Sequence, residues 1–185
     1  AIGDGTLLFP DADGSAGQYI KTDGSANLAF ATLPAGGKLV QMVTSVETGN
    51  VTGTTTTPVD DTIPTSSEGN ALTSLDLAIT PTSATNKLVI LITLFANGTT
   101  ANSYVITSLF QDSGSAAIAA KDTRDMNGGS FDITMQHIMD AGTTSATTFK
   151  IRLGANSGRA SINGETSRRM GGVASSRMTI MEISA

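Results

Sequence analysis

Cysteine is missing from this sequence altogether, which removes disulfides, thiolate nucleophiles and thiolate metal ligands together. Tryptophan is missing too, and aromatic residues make up only 4% of the 185 positions. A glycan-degrading enzyme that works along an aromatic-lined groove is poorly served by that supply. There is one histidine, His137. With no cysteine beside it, a zinc site of standard composition is not expected. Charged residues are scarce at 15%, too few for a solvated helical bundle or for ordinary disorder. No run of lysine or arginine follows a phosphate backbone, and the net charge is −5, so nucleic acid is not an expected ligand. Long apolar runs are absent as well. Leu88–Phe95 is among the longest and falls far short of the ~20 residues that span a bilayer, so no membrane insertion is expected. No signal peptide is visible, and the start at Ala1 suggests a fragment or a processed product.

Threonine, serine, glycine and alanine fill the space that the missing residues leave. Threonine suits pleated strands and glycine suits tight turns, so the expected class is all-β with a thin core. Thin cores draw support from partner subunits. The opening segment carries Asp4-Gly5, Asp13-Gly14 and Asp23-Gly24 at near-regular spacing, the last two extending to the same Asp-Gly-Ser-Ala tetrapeptide. Between them, Leu7–Phe9, Gln18–Lys21 and Asn27–Phe30 are short strand candidates without enough apolar surface for a core. A repeat of this kind stacks on neighbours or on other chains. We assign residues 1–35 to an extended β stem that trimerises. Residues 36–71 read as a first strand followed by a long Thr/Pro-rich arm. There, Pro58 and Pro64 argue against a central strand across Glu47–Ala71.

From Leu72 the period is two, and residues 72–185 are expected to form an antiparallel β-sandwich head of jelly-roll type. Leu75, Leu77 and Ile79 alternate with polar or small neighbours, and Lys87–Phe95 reads as covered on both faces. Tyr104–Gln111, Ala116–Lys121, Phe131–Met139 and Phe149–Leu153 follow. Arg177–Ile183 is apolar on both sides, which places Met178, Ile180, Met181 and Ile183 at an expected interface between subunits. Asn97-Gly98, Asn127-Gly128-Gly129 and Asn163-Gly164 are turn signals. Thr80–Thr85 and Thr143–Thr148 echo one another before two of the strands, as the same kind of turn at the same end would.

Several of these stretches resemble phage fibre proteins. Gly17-Gln18-Tyr19-Ile20-Lys21-Thr22-Asp23-Gly24 is similar to an element common near the heads of tail fibres. Asp61–Pro64, Glu68-Gly69, Leu77–Leu88, Ala141–Lys150 and Gly171–Ser176 together look like the head domain of bacteriophage tail-fibre proteins, a resemblance that covers most of the chain from Asp61 onward. It implies a homotrimeric virion protein, assembled in the host cytoplasm beside other virion proteins, that attaches to a host surface glycan or protein without a cofactor. Head fibres and capsid decoration proteins use similar parts, so a structural role with loose adhesion is the alternative.

Catalysis finds little support. His137 sits in the apolar register of a strand, where a packing role outweighs that of a base. Asp60-Asp61, Asp112, Asp122 and Asp125 lie near expected loops, where solvated side chains explain them as well as a glycosidase pair does. No enzymatic activity and no metal site are therefore expected. Arg159, Arg168 and Arg169 stand out in an acidic chain, either for pairing between subunits or for contact with an anionic glycan. If each strand reverses direction, the loops Ala96–Ser103, Asp122–Gly129 and Gly154–Gly158 gather at the end far from the stem. There Asn97, Asn102, Asn127 and Asn156 offer amides to sugar hydroxyls and Tyr104 offers a stacking face, making these five the candidate receptor-binding residues.

Overall fold

The computed structural model describes residues 8–32, 37–124, 129–165 and 168–185. It divides into two compact units, Ala1–Lys38 with Ala185, and Leu39–Ser184.

In the first unit β1 (Gln18–Thr22) and β2 (Leu28–Thr32) form an antiparallel hairpin. Asp23 builds the turn between them. Its Oδ1 accepts the amides of Ser25 at 2.7 Å and Asn27 at 3.2 Å, while Oδ2 accepts the Asn27 side chain at 2.8 Å. These bonds hold the Asp23 carboxyl below its ordinary value. Leu8 bridges Asn27. Leu8, Phe9, Tyr19 and Ile20 stay exposed, as expected of strands too short to bury their own faces.

The second unit is a two-sheet sandwich, and its strand order follows from the registers. In the first sheet, β3 (Leu39–Glu47) and β4 (Val51–Gly53) form one outer position. Inside it lie β15 (Ser176–Ile183), paired with β3, and β12 (Ala160–Ile162), paired with β4. Both β15 and β12 pair with one edge of β7 (Lys87–Gly98), whose other edge carries β10 (Ser130–Asp140) over eleven register pairs, Lys87 to Asn97. In the second sheet, β5 (Asn70–Ala71) and β6 (Leu77–Ile79) share one edge of β11 (Thr147–Ala155). The other edge of β11 pairs with β8 (Tyr104–Gln111), and β8 in turn with β9 (Ala119–Arg124). Numbered along the chain, the positions run first, eighth, third and sixth in one sheet and second, seventh, fourth and fifth in the other. That is jelly-roll order, two Greek keys closed face to face. The all-β, antiparallel sandwich read from the period-two pattern is the fold observed.

Between the sheets Leu88, Ile90, Ile92, Leu94, Ile133, Met178 and Ile180 meet Leu109, Phe149, Ile151 and Leu153. Each such side chain contributes about 1.5–3 kcal/mol of burial. Aliphatic residues do nearly all of this work, which is how a chain short of aromatics still builds a core.

The structure revises several boundaries. The sandwich begins at Leu39, not Leu72, because β3 completes the first sheet and β4 and β5 lie within the stretch read as an arm. The rest of that stretch is fastened to the chain. Thr57 N donates to Ala155 O, Ser66 N to Ser115 O, and Ala117 N to Pro64 O. Lys87–Phe95 is not covered on both faces, since Lys87 and Thr93 are exposed and Val89, Leu91 and Phe95 are half-buried. Nor do Met178 and Ile180 form an interface between subunits, because both are fully buried in the chain's own core. A final strand apolar on both sides here means a central strand, with one face in the core and Thr179, Met181 and Ile183 on the outer face.

Asn163-Gly164 is no hairpin tip. It breaks the eighth position, and the chain makes the excursion β13 (Gly164–Glu165) and β14 (Arg168–Arg169) before β15 resumes. Asn163 anchors the break. Its Nδ2 donates to Glu47 O at 2.8 Å and Gly49 O at 2.9 Å, and its Oδ1 accepts Ser176 Oγ at 2.8 Å.

At the end where the chain enters the sandwich, the first Thr-Ser-Ala-Thr turn is bonded to the residues just before the second. Ala141 N donates to Asn86 O and Gly142 N to Ala84 O. Glu182, wholly buried, sits beneath the turn of Thr82 and Asn86. One of its oxygens accepts Thr82 N, Thr82 Oγ1 and Asn86 Nδ2, and the other accepts Gln41 Nε2.

Candidate functional site

The opposite end carries the β7–β8 turn and the 156–159 loop, within two of the three stretches singled out from sequence. β7 and β8 are joined by a tight turn in which Ser103 N donates to Thr100 O and Asn102 adopts φ 64°. Thr99 N donates to Arg159 O at 3.2 Å, and Arg159 N to Thr99 Oγ1 at 3.0 Å, so this turn and the 156–159 loop hold one another. Gly158 makes the contact possible. Its φ is 80°, and a Cβ there would lie 2.2 Å from Thr100 Oγ1.

Tyr104 and Arg124 are cross-strand partners at the ends of β8 and β9. The guanidinium carbon of Arg124 lies 5.9 Å from the Tyr104 ring centroid, within cation–π range. The same side chain donates from Nη2 to Asn102 Oδ1 at 3.3 Å. Asn102, Tyr104 and Arg124 thus form one group of amide, ring and cation, with Asn102 and Arg124 exposed and Tyr104 half-buried, and with the exposed Arg159 on the neighbouring loop. In a chain of net charge −5 this rim presents two guanidinium groups. Its chemistry suits hydroxyls, carboxylates or phosphates presented from outside.

The remaining candidates are placed differently. Asn97 lies in the β-ladder between Ser130 and Ser161, 2% exposed, with Nδ2 donating to Ser130 Oγ at 3.4 Å. It is not a turn residue and offers no amide to a ligand. Asn156 closes the end of β8. Its Oδ1 accepts Tyr104 N at 2.8 Å and its own N donates to Tyr104 O, so its side-chain oxygen serves structure. Asn127 and Asp125 lie outside the described residues. Arg124 was missed in the sequence because nothing local pairs it with Tyr104; only the register does. Arg168 and Arg169 lie on β14, where Arg169 Nε donates to Ala174 O at 2.7 Å.

A second concavity lies on the second sheet, a cleft of about 350 Å³ lined by Phe110, Asp76, Asp112, Lys150 and Arg152 among others. Arg152 is fixed by donating to the carbonyls of Glu68 and Gly69, both at 2.7 Å. Burial pushes the Asp76 carboxyl up, and neighbouring Lys150 partly offsets it. Asp112 is committed to the fold, accepting Thr147 Oγ1 at 2.9 Å and Thr148 N at 2.7 Å. Asp60 binds Thr62 within its own turn, which lowers its pKa. His137 pairs in register with Ile90 and shares the inward face of β10. No cluster of three or more potential metal-ligating side chains occurs among the described residues.

No family model matches the chain, and no curated protein matches it. Among solved structures, a chain of the T13 infectious bursal disease virus particle is 9% identical. The match covers 84% of this chain and 39% of that one, with a TM-score of 0.41. A chain from the Gt strain of the same virus is 10% identical over 85% of this chain and 40% of its own, with a TM-score of 0.42. Dimeric latent PorU from Porphyromonas gingivalis is 8% identical over 81% of this chain and 14% of its own, at 0.35. The chain spans about two fifths of the viral chains it matches. Function does not follow from likeness of this degree.

Proposed function

We propose that this protein is a structural component of a phage virion, the head of a tail fibre with part of its stem. In this reading it assembles as a homotrimer and attaches the particle to a host surface glycan or protein. The reading starts from the fibre-like stretches in the sequence. The observation that carries it is the group Asn102, Tyr104, Arg124 on the loop end, opposite the end at which the chain enters the sandwich. A jelly roll is a rigid frame, and loops held at one end of such a frame are where recognition residues sit. Three copies would raise a weak contact by about 10²–10⁴ where geometry allows simultaneous engagement. In this reading the function is binding, with no cofactor, as the fibre resemblance implies; the histidine faces inward and Asp60 and Asp112 are engaged within the fold.

The test pairs Tyr104→Ala with Arg124→Ala and leaves Asn156 intact because it caps β8. Labelled protein is applied to bacterial strains with and without surface polysaccharide. Binding should fall at least tenfold while the melting temperature holds. Full binding by the folded variant overturns the site. Wild-type protein that coats no host cell and blocks no phage adsorption overturns attachment and leaves the alternative, a head-fibre or decoration role. That alternative is favoured by the burial of Asn97 and the structural use of Asn156.

A further inference from the structure

The outward face of the first sheet is unusually apolar for a surface. Reading across the registers, Met42 lies beside Met181, Met181 beside Val89, and Val89 beside Ile138. This is an unbroken apolar row over all four strand positions, from one sheet edge to the other. All four side chains point away from the core, because the alternate residues Val43, Ile180, Ile90 and His137 form the inward row. Met42 is 59% exposed and Ile138 56%. Leu91, half-buried, extends the patch toward the loop end, and Val40 and Val46 extend it along β3.

We infer that this face is where copies of the chain meet, with the row Met42–Met181–Val89–Ile138 at the centre of the contact. The inference rests on the proposed homotrimer and assigns its interface. Two observations single out another copy as the occupant. The first is charge. A chain of net charge −5 repels its own copies, but this face is balanced. Lys87 is paired with Asp140, and Arg177 and Asp132 cancel. Identical acidic molecules approach one another most readily across such a neutral surface.

The second is size. Four strands spaced ~4.8 Å apart and nine residues at ~3.4 Å each define a face of about 19 by 30 Å. A closed ring of three would bury about 1,700 Å² in all, roughly 600 Å² at each contact, so each contact alone is small and the ring depends on all three closing together. Methionine at two of the four positions fits a surface that adapts to its partner. The row also reaches both sheet edges, so a copy can touch one neighbour with its β3 side and another with its β10 side, as a closed ring requires.

The experiment is light scattering on the intact chain and on the double variant Met42→Lys, Ile138→Lys. Both positions are exposed in the single chain, so the sandwich should fold, as circular dichroism will check. Wild type should have a mass three times 18.8 kDa, and the double variant the mass of one chain. Val59→Lys with Ile63→Lys, on exposed arm residues, should leave the mass unchanged. A double variant that keeps the wild-type mass overturns the face, as does a wild type that is monomeric because something else covers it. A wild-type dimer dissociated by the lysines supports the face and overturns the trimer.

Should the lysine variant fail to fold, the absence of cysteine supplies a second measurement. A lone Met42→Cys thiol should react with maleimide several-fold more slowly than a lone Ile63→Cys. Equal rates overturn the inference. Cell binding is scored separately, so loss of attachment by an intact oligomer counts against the attachment reading alone.

Discussion

Replacing Glu182 with glutamine probes how the entry end of the sandwich is held. The carboxylate is wholly buried, and amide and hydroxyl donors satisfy it. Burial raises its pKa, but the bonds from Gln41, Asn86 and Thr82 outweigh burial and bring it from 4.5 to about 2. The folded state therefore favours the charged form. At ~1.4 kcal/mol per pKa unit the contribution is about 3 kcal/mol. With the folded pKa below the unfolded one, that contribution is complete above pH 4.5 and is lost as pH falls toward 2. Glu182→Gln keeps the volume, but sets an NH₂ against Gln41 Nε2, which also donates to Thr80 O, and so loses about 1–3 kcal/mol at pH 7. The variant has no proton to take up in the acid range. Urea unfolding at pH 7, 4.5 and 3, at fixed protein concentration, should show a gap between wild type and variant that narrows as pH falls. A gap of constant size from pH 7 to pH 3, or no gap at pH 7, would refute the reasoning.

The two faces of the final strand are separable. Ile180→Asp puts an unpaired charge in the core and should abolish soluble folded protein. Met181→Asp should leave the sandwich folded by circular dichroism and remove self-association, and identical behaviour of the two variants would contradict the assigned faces. The arm depends on Gly154, where a Cβ would lie 2.3 Å from Thr57 Oγ1 and 2.8 Å from Gly69 Cα. Gly154→Val should lift the arm and open residues 54–66 to proteinase K; unchanged cleavage would show that the arm is held elsewhere.

Much of the fold was legible in the residues themselves, because a half-buried strand must alternate and a turn must bend. Phe131, Ile133, Met135, His137 and Met139 declare one inward face by period two, and β10 is built that way. The first Thr-Ser-Ala-Thr segment announces a turn, and its Ala84 carbonyl accepts the amide of Gly142, just before the second such segment. What sequence alone could not decide was which strand lies beside which. Apolarity on both sides of Arg177–Ile183 is the same signal whether the second face meets a partner or the strand is simply central. The registers resolve it, sending Met178 and Ile180 into the core and Met181 outward. Asn97-Gly98 has the composition of a turn, yet pairing with Ser130 and Ser161 on both sides draws it into the ladder. Arg124 and Tyr104 are twenty residues apart and meet only because β8 and β9 pair in that register. Local chemistry set the strands and turns; long-range pairing chose the neighbours, and with them which side chains remained free to act.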